Sequence, residues 1–63
     1  MNKCYDMNDT LLQIGYLVSY VQNGDDEDEG PIVELLEDNK ITIDGDCGLR
    51  TIDASDCYCI DTE

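Results

Sequence analysis

Short apolar segments, separated by acidic residues, glycine or asparagine, run through the chain from residue 10 to residue 61. They occupy positions 10–22, 32–36, 41–43, 49–52 and 57–60, and all but the first are shorter than an ordinary helix. Apolar and polar residues alternate in several of them, as in strands with one buried face. The spacing therefore predicts an all-β chain of five short strands, folded as a small barrel or sandwich.

The first segment, residues 10–22, fits two kinds of secondary structure. A helix is indicated by a capping box at Thr10 and Gln13 and by a shared helical face of Leu11, Ile14, Val18 and Val21. A strand is indicated by alternation and by a second half rich in Tyr and Val, with Gly15 inside it. We favour the strand, with a core face of Leu12, Ile14, Tyr16, Val18 and Tyr20. The alternative is an α+β chain in which residues 10–22 are helical.

In the strand interpretation, Leu11, Leu17 and Val21 point away from the core. Either loop residues cover them or they form a face through which the chain pairs with a second copy as a homodimer.

Residues 1–63 are expected to form a single domain, because a chain this short cannot build two cores. Residues 1–9 are polar and read as a loosely held arm. Residues 23–30 (NGDDEDEG) read as an acidic loop, since Asn-Gly opens the segment and Gly-Pro closes it. Residues 37–40 read as a tight turn, and residues 53–56 as one helical turn.

This order of elements resembles the SH3-like barrel family over roughly residues 10–61. The matching features are Gly15-Tyr16-Leu17-Val18 in the first strand, the long loop with glycine, the hairpin around Asp38-Asn39-Lys40 and the turn at Ala54-Ser55-Asp56. The resemblance implies a five-stranded barrel. SH3-like barrels often bind proline-rich peptides or nucleic acid, and this chain departs from both patterns because it has no Trp and is strongly acidic.

Charge limits the partners of such a domain. The chain has 16 Asp and Glu against 3 Lys and Arg and no His, which gives a formal net charge of −13. Direct binding to nucleic acid or to an anionic membrane is therefore not expected. Hydrophobic residues make up 41% of the chain, which argues against a disordered acidic tail. No segment resembles a targeting signal or a membrane span, which favours the cytosol and reduced thiols.

Metal binding and catalysis have little support in the sequence. Asp25 to Leu36 follows an EF-hand loop only in part, because the last position lacks the required Glu. The four thiols, Cys4, Cys47, Cys57 and Cys59, lack the usual zinc-knuckle spacing. There is no His, and neither Ser19 nor Ser55 has an evident base. We therefore expect no cofactor, no metal and no enzymatic activity.

The carboxylates are the candidate binding residues. Carboxylates two positions apart on a strand lie roughly 6–7 Å apart on one face, a spacing of the same order as that of phosphates, so an ordered array can imitate a nucleic acid. The residues expected to form it are Asp25, Asp26, Glu27, Asp28, Glu29, Glu34, Glu37, Asp38, Asp44 and Asp46.

In size and acidity the chain resembles the small inhibitors that bacteriophages make against host enzymes and defence systems. That resemblance implies a partner with a basic nucleic-acid-binding surface, as in restriction, BREX-type or CRISPR complexes. The alternative is a protein-interaction adaptor that binds through the apolar first strand or an open strand edge, with charge serving solubility only.

Overall fold

A computed structural model describes residues 2–22, 26–46 and 48–61. The strands are β1 (Cys4–Tyr5), β2 (Leu11–Leu12), β3 (Leu17–Gln22), β4 (Asp26–Leu36), β5 (Lys40–Gly45), β6 (Gly48–Asp53) and β7 (Cys57–Asp61). A 3-10 turn at Ala54–Asp56 precedes the last strand, as the sequence predicts. The described residues contain no α-helix, so the all-β prediction is confirmed.

The five longer strands form one antiparallel sheet in the order β6-β5-β4-β3-β7. β4 pairs with a different strand along each half of its length. Residues 26–31 pair with β3, and residues 32–36 pair with β5. A register shift between Ile32 and Glu34 marks the boundary. Five strands in one sheet and a turn before the last strand agree with the number of strands predicted from the sequence. Two features quoted for the SH3-like resemblance differ, because Gly15 and Tyr16 lie before β3 and residues 26–30 belong to β4. Among the described residues β6 and β7 do not pair with each other, so closure into a barrel stays a prediction.

Residues 10–22 form two strands separated by a turn, and the helical alternative is wrong. Gly15 has a φ of 99° in this turn, a conformation that glycine adopts without strain. The turn breaks the alternation, and Ile14 is 63% exposed instead of lying in the core. Leu12, Val18 and Tyr20 are buried as predicted.

The core lies against one face of the sheet. Alternate positions of the strands contribute to it, which is why apolar and polar residues alternate along them. Its buried members are Cys4, Leu12, Val18, Tyr20, Ile32, Ile41, Ile43, Ala54 and Cys57.

The N-terminal segment is held in place, which corrects the prediction of a loosely held arm over residues 1–9. Cys4 is fully buried and pairs with Leu12 of β2. Asp6 is also buried, and its carboxylate accepts hydrogen bonds from the backbone N–H groups of Asn8, Thr10 and Cys59. These bonds fix the turn between β1 and β2 against β7.

The same segment is bonded along β7 and to the hairpin between β4 and β5. Met7 N–H donates to the carbonyl oxygen of Cys57 at 2.9 Å. Asp38 and Asn39 both have positive φ, which defines the hairpin turn predicted at residues 37–40. The Asn39 side chain accepts a hydrogen bond from Tyr5 N–H and donates one to the Tyr5 carbonyl oxygen. The segment is therefore attached to two separate parts of the sheet.

The predicted acidic loop at residues 23–30 is wrong for residues 26–30, which belong to β4 and pair with β3. Residues 23–25 lie outside the described part of the chain. Alternation makes an acidic strand tolerable, because Glu27 and Glu29 are exposed while Asp28 between them points inward.

Candidate protein-binding surface

The carboxylate of Asp28 joins two acidic segments that are distant in the sequence. Its Oδ1 accepts hydrogen bonds from Glu29 N–H at 2.9 Å and from Asp46 N–H at 3.1 Å. Its Oδ2 lies 3.6 Å from Arg50 Nε in an ion pair. Asp28 is only 8% exposed, which corrects its predicted role as a partner contact. It is instead the group that fixes the β5–β6 turn beside β4.

Two glycines permit this close approach. A Cβ on Gly30 would overlap the backbone carbonyl group of Asp44, and a Cβ on Gly45 would overlap the Asp28 carboxylate. Neither obstacle is the flexible end of a long side chain, so a larger residue would push the two segments apart. Because neither glycine has a side chain, Asp44 and Asp46 can lie beside β4.

Four exposed carboxylates are carried by the segments that come together at this end of the sheet. Glu27 and Glu29 lie on the outer face of β4, Asp44 lies near the end of β5, and Asp46 lies in the turn that follows. We call Glu27, Glu29, Asp44 and Asp46 the acidic end.

The remaining predicted binding residues are placed elsewhere. Glu34 is exposed on the second half of β4. Glu37 and Asp38 are exposed in the turn at the opposite end of β5, a separation of roughly 17 Å at about 3.4 Å per residue. Asp25 lies outside the described residues, and Asp26 belongs to β4 but its side chain is not described. The predicted carboxylates therefore do not form one patch.

Two of the three cations are bound within the chain. Lys40 pairs with Asp53, which raises the pKa of the lysine, and Arg50 pairs with Asp28. Lys3 is exposed at the N-terminal end of the chain. The carboxylates in these two ion pairs, Asp53 and Asp28, do not belong to the acidic end.

A row of three side chains adjoins the acidic end on the outer face of the sheet. Ser19 of β3 lies opposite Glu29 of β4 on one side and opposite Tyr58 of β7 on the other. The Tyr58 hydroxyl donates a hydrogen bond to Glu27 Oε2 at 3.2 Å. An aromatic side chain of β7 is thus bonded to a carboxylate of β4 across the strand that carries Ser19.

Two of the three residues predicted as a self-association face, Leu11 and Leu17, have side chains that the structure describes. Leu11 is 40% exposed, Leu17 is half-buried, and Val21 belongs to β3 with a side chain that is not described. Leu11 lines a groove of about 420 Å³ together with Leu12, Ile14, Leu35, Gln13, Asn2 and Lys3. The groove is mainly apolar, and Ile14 at its margin is the residue that sequence reasoning had placed in the core.

The described cysteines are Cys4, Cys57 and Cys59, and all three are free thiols. Burial and the nearby Asp6 carboxylate raise the pKa of Cys57 to about 12, and the same two causes raise the pKa of Cys59. Cys57 donates its thiol hydrogen to the Ala54 carbonyl oxygen at 3.0 Å. Within the described ranges, no cluster of three or more Cys, Asp or Glu is arranged to hold a metal ion.

Sequence reasoning missed Asp6, Ser19 and Tyr58. The alternation Cys57-Tyr58-Cys59 could have predicted the position of Tyr58. If both thiols lie on the core face of the strand, Tyr58 must lie on its outer face. Nothing in the sequence marks Asp6 as buried, since its three donors are backbone groups whose positions depend on the fold.

Comparison of the chain with protein-family models, curated proteins and solved structures finds no match. In the part of the chain that the structure describes, no helix is long and apolar enough to cross a membrane.

Proposed function

We propose that this protein is a non-enzymatic inhibitor that binds the basic nucleic-acid-binding surface of another protein and so blocks access of DNA or RNA. The class of target is a host protein or defence complex such as a restriction, BREX-type or CRISPR system, and the site of action is the host cytosol. The observation that carries the proposal is that the backbone N–H groups of Glu29 and Asp46 both donate to Oδ1 of Asp28. These two hydrogen bonds hold acidic segments from two parts of the chain together.

Electrostatics supports this function over direct binding to nucleic acid. The chain carries a net charge of −13, and Lys40 and Arg50 are already paired with carboxylates. Glu27 and Glu29 are two residues apart on one strand face, roughly 7 Å, so they present a regular row of charges. A basic groove that binds a polyanion is attracted to such a row by the same Coulomb force.

The test is affinity capture from host lysate at 50 mM and 500 mM salt, followed by elution with duplex DNA. Captured proteins should be nucleic-acid-binding proteins, should elute with DNA and should be lost at high salt. Capture that is insensitive to both salt and DNA would refute the proposal.

A charge-matched pair of variants locates the surface. One replaces the four carboxylates of the acidic end by Gln or Asn, and the other does the same to Glu34, Glu37, Asp38 and Asp61, which are exposed elsewhere. The first should slow association with a captured target much more than the second, although both carry the same net charge. Equal effects would show that only total charge matters.

A second candidate function is a protein-interaction adaptor, and exposed apolar side chains favour it. Leu49 on the edge strand β6 is 70% exposed, and the groove beside Leu11 and Ile14 is apolar. A partner could add a strand to β6 or place an apolar residue in the groove. The affinity of such a partner for this protein should change little with salt. Leu49→Ser should weaken that affinity and leave the charge-dependent capture intact.

A further inference from the structure

Ser19 is a fully buried hydroxyl on the outer side of the sheet. Its neighbours along β3, Val18 and Tyr20, point into the core, so alternation places Ser19 on the opposite face. It is nevertheless 0% exposed, and its Oγ has no hydrogen-bond partner among the residues that the structure describes. A buried hydroxyl without a partner destabilises a fold, so this position calls for a reason other than stability.

The Tyr58 side chain reaches across the strand that carries this hydroxyl. Tyr58 is the register partner of Ser19 on β7, yet its own hydroxyl bonds to Glu27 on β4. Since β3 lies between β7 and β4, the ring must cross β3 to make that bond. Glu29, the register partner of Ser19 on β4, completes the surroundings.

We propose that Ser19, Glu27 and Glu29 form a site for the guanidinium group of an arginine on the partner protein, with the Tyr58 ring as its movable cover. The inference rests on the proposed function and names the side chain that the surface beside the acidic end recognises. When the arginine binds, the ring leaves Glu27, uncovers Ser19 and stacks against the guanidinium plane.

The chemistry of the site matches a guanidinium better than an ammonium group. A guanidinium offers five N–H donors in one plane and no acceptor, and the two carboxylates and the serine oxygen can all accept. Arginine also stacks on aromatic faces, whereas the lysine ammonium is compact and strongly hydrated. The carboxylates of Asp44 and Asp46 at the acidic end add electrostatic attraction for the arginine.

Moving the Tyr58 ring away from Ser19 should cost little free energy. Only one hydrogen bond between side chains is described for Tyr58, its 3.2 Å bond to Glu27, and that bond is at the surface, where water can replace it. The carboxylate released by this step becomes a ligand of the incoming arginine.

The probes are acetyl-hexaarginine amide and acetyl-hexalysine amide, which carry equal charge, titrated calorimetrically into the full chain at 20 mM salt and pH 7. The arginine peptide should bind about fivefold more tightly, as expected from one stacking and hydrogen-bonding site. Similar affinities for the two peptides would overturn this inference and leave the proposed function standing. Absence of binding by either peptide would overturn both.

Ser19→Ala tests whether the serine hydroxyl contributes to arginine binding and not to the stability of the fold. The variant should have a higher melting temperature, because an unpaired buried hydroxyl is removed, and should lose most of the preference for arginine. A lower melting temperature would show that the hydroxyl has a partner, and an unchanged preference would show that it is not part of the site. Either result overturns the inference.

Two matched pairs test the other groups. Tyr58→Phe keeps the ring but lacks the bond to Glu27, so it should bind the arginine peptide at least as tightly as the wild type, whereas Tyr58→Leu should lose the preference. Glu29→Gln should lose the preference as well, and Glu34→Gln, with the same net charge, should retain it. The reverse ranking in either pair would overturn the inference.

Discussion

Replacing Asp6 by asparagine tests whether one buried carboxylate holds the N-terminal segment on the sheet. The carboxylate Oδ1 accepts from Asn8 N–H at 2.9 Å and Thr10 N–H at 2.8 Å, and Oδ2 accepts from Cys59 N–H at 2.8 Å. Asparagine has nearly the same shape, but one oxygen becomes an N–H₂ group. If the N–H₂ group takes the place of Oδ2, it meets the N–H of Cys59, and two donors cannot bond to each other. At least one of the three hydrogen bonds is therefore lost.

The expected loss is a large share of the stability of a chain this size. A hydrogen bond to a charged group contributes about 1.5–3 kcal/mol, and the two bonds that survive lose the assistance of the charge, so the total is about 3 kcal/mol. A chain of 63 residues has a free energy of unfolding of about 3–9 kcal/mol. At about 4 °C or more per kcal/mol, Asp6→Asn should lower the melting temperature by about 12 °C or more.

Urea denaturation followed by circular dichroism at several pH values measures this effect. Burial opposes ionisation of Asp6, but backbone hydrogen bonds from Thr10, Cys59 and Asn8 outweigh it and hold its pKa below the ordinary value of 3.8. A lowered pKa in the folded state stabilises the fold above pH 3.8, and the stabilisation is lost as the pH falls through the folded-state pKa. The difference between wild type and Asp6→Asn should therefore be full at pH 7 and shrink below pH 3.8.

Asp9→Asn is the matched control, because Asp9 is exposed in the same turn and the substitution removes the same charge. It should leave the free energy of unfolding nearly unchanged. Equal stability of the two variants at pH 7, or a difference between Asp6→Asn and wild type that does not depend on pH, would refute the role assigned to Asp6.

Three further predictions concern charge, packing and reactivity. Raising the salt concentration from 0.01 M to 1 M shortens the Debye length from about 30 Å to about 3 Å, so the melting temperature should rise; no change would contradict self-repulsion among the exposed carboxylates. Gly30→Ala should destabilise the chain by about 1–3 kcal/mol in urea denaturation, because its Cβ would overlap the Asp44 carbonyl group, and wild-type stability would contradict that close approach. Cys57 should resist alkylation in the native state at pH 8, because it is fully buried with a pKa of about 12, and mass spectrometry showing rapid labelling would contradict its place in the core.

The alternation of apolar residues was sufficient to predict the class of fold. It predicted five strands, the turn at residues 37–40 and the helical turn before the last strand, because these depend on local patterns that the tertiary structure did not override. It failed at Ile14, where the positive φ of Gly15 turns the chain and ends the period-two pattern. A single glycine in an apolar segment does not reveal whether the strand continues or turns.

The acidic segment was misread because composition was used in place of alternation. Five consecutive acids suggest a loop, yet a strand needs only every second residue to be buried, and the buried Asp28 has partners for its carboxylate. Those partners, Asp46 N–H and Arg50, are contributed from 18 or more residues further along the chain. No local pattern could identify them, so the meeting of Glu27 and Glu29 with Asp44 and Asp46 was not predictable.

The bonds of the N-terminal segment to β7 also have a consequence for how copies of this chain behave at high concentration. A strand at the border of a sheet offers unpaired N–H and C=O groups on which another polypeptide can grow as a fibre. Here Met7 and Asp6 already occupy such groups on Cys57 and Cys59, so part of the β7 border is unavailable to another chain. A strand added at that border would have to displace these bonds, which hinders ordered stacking of copies there.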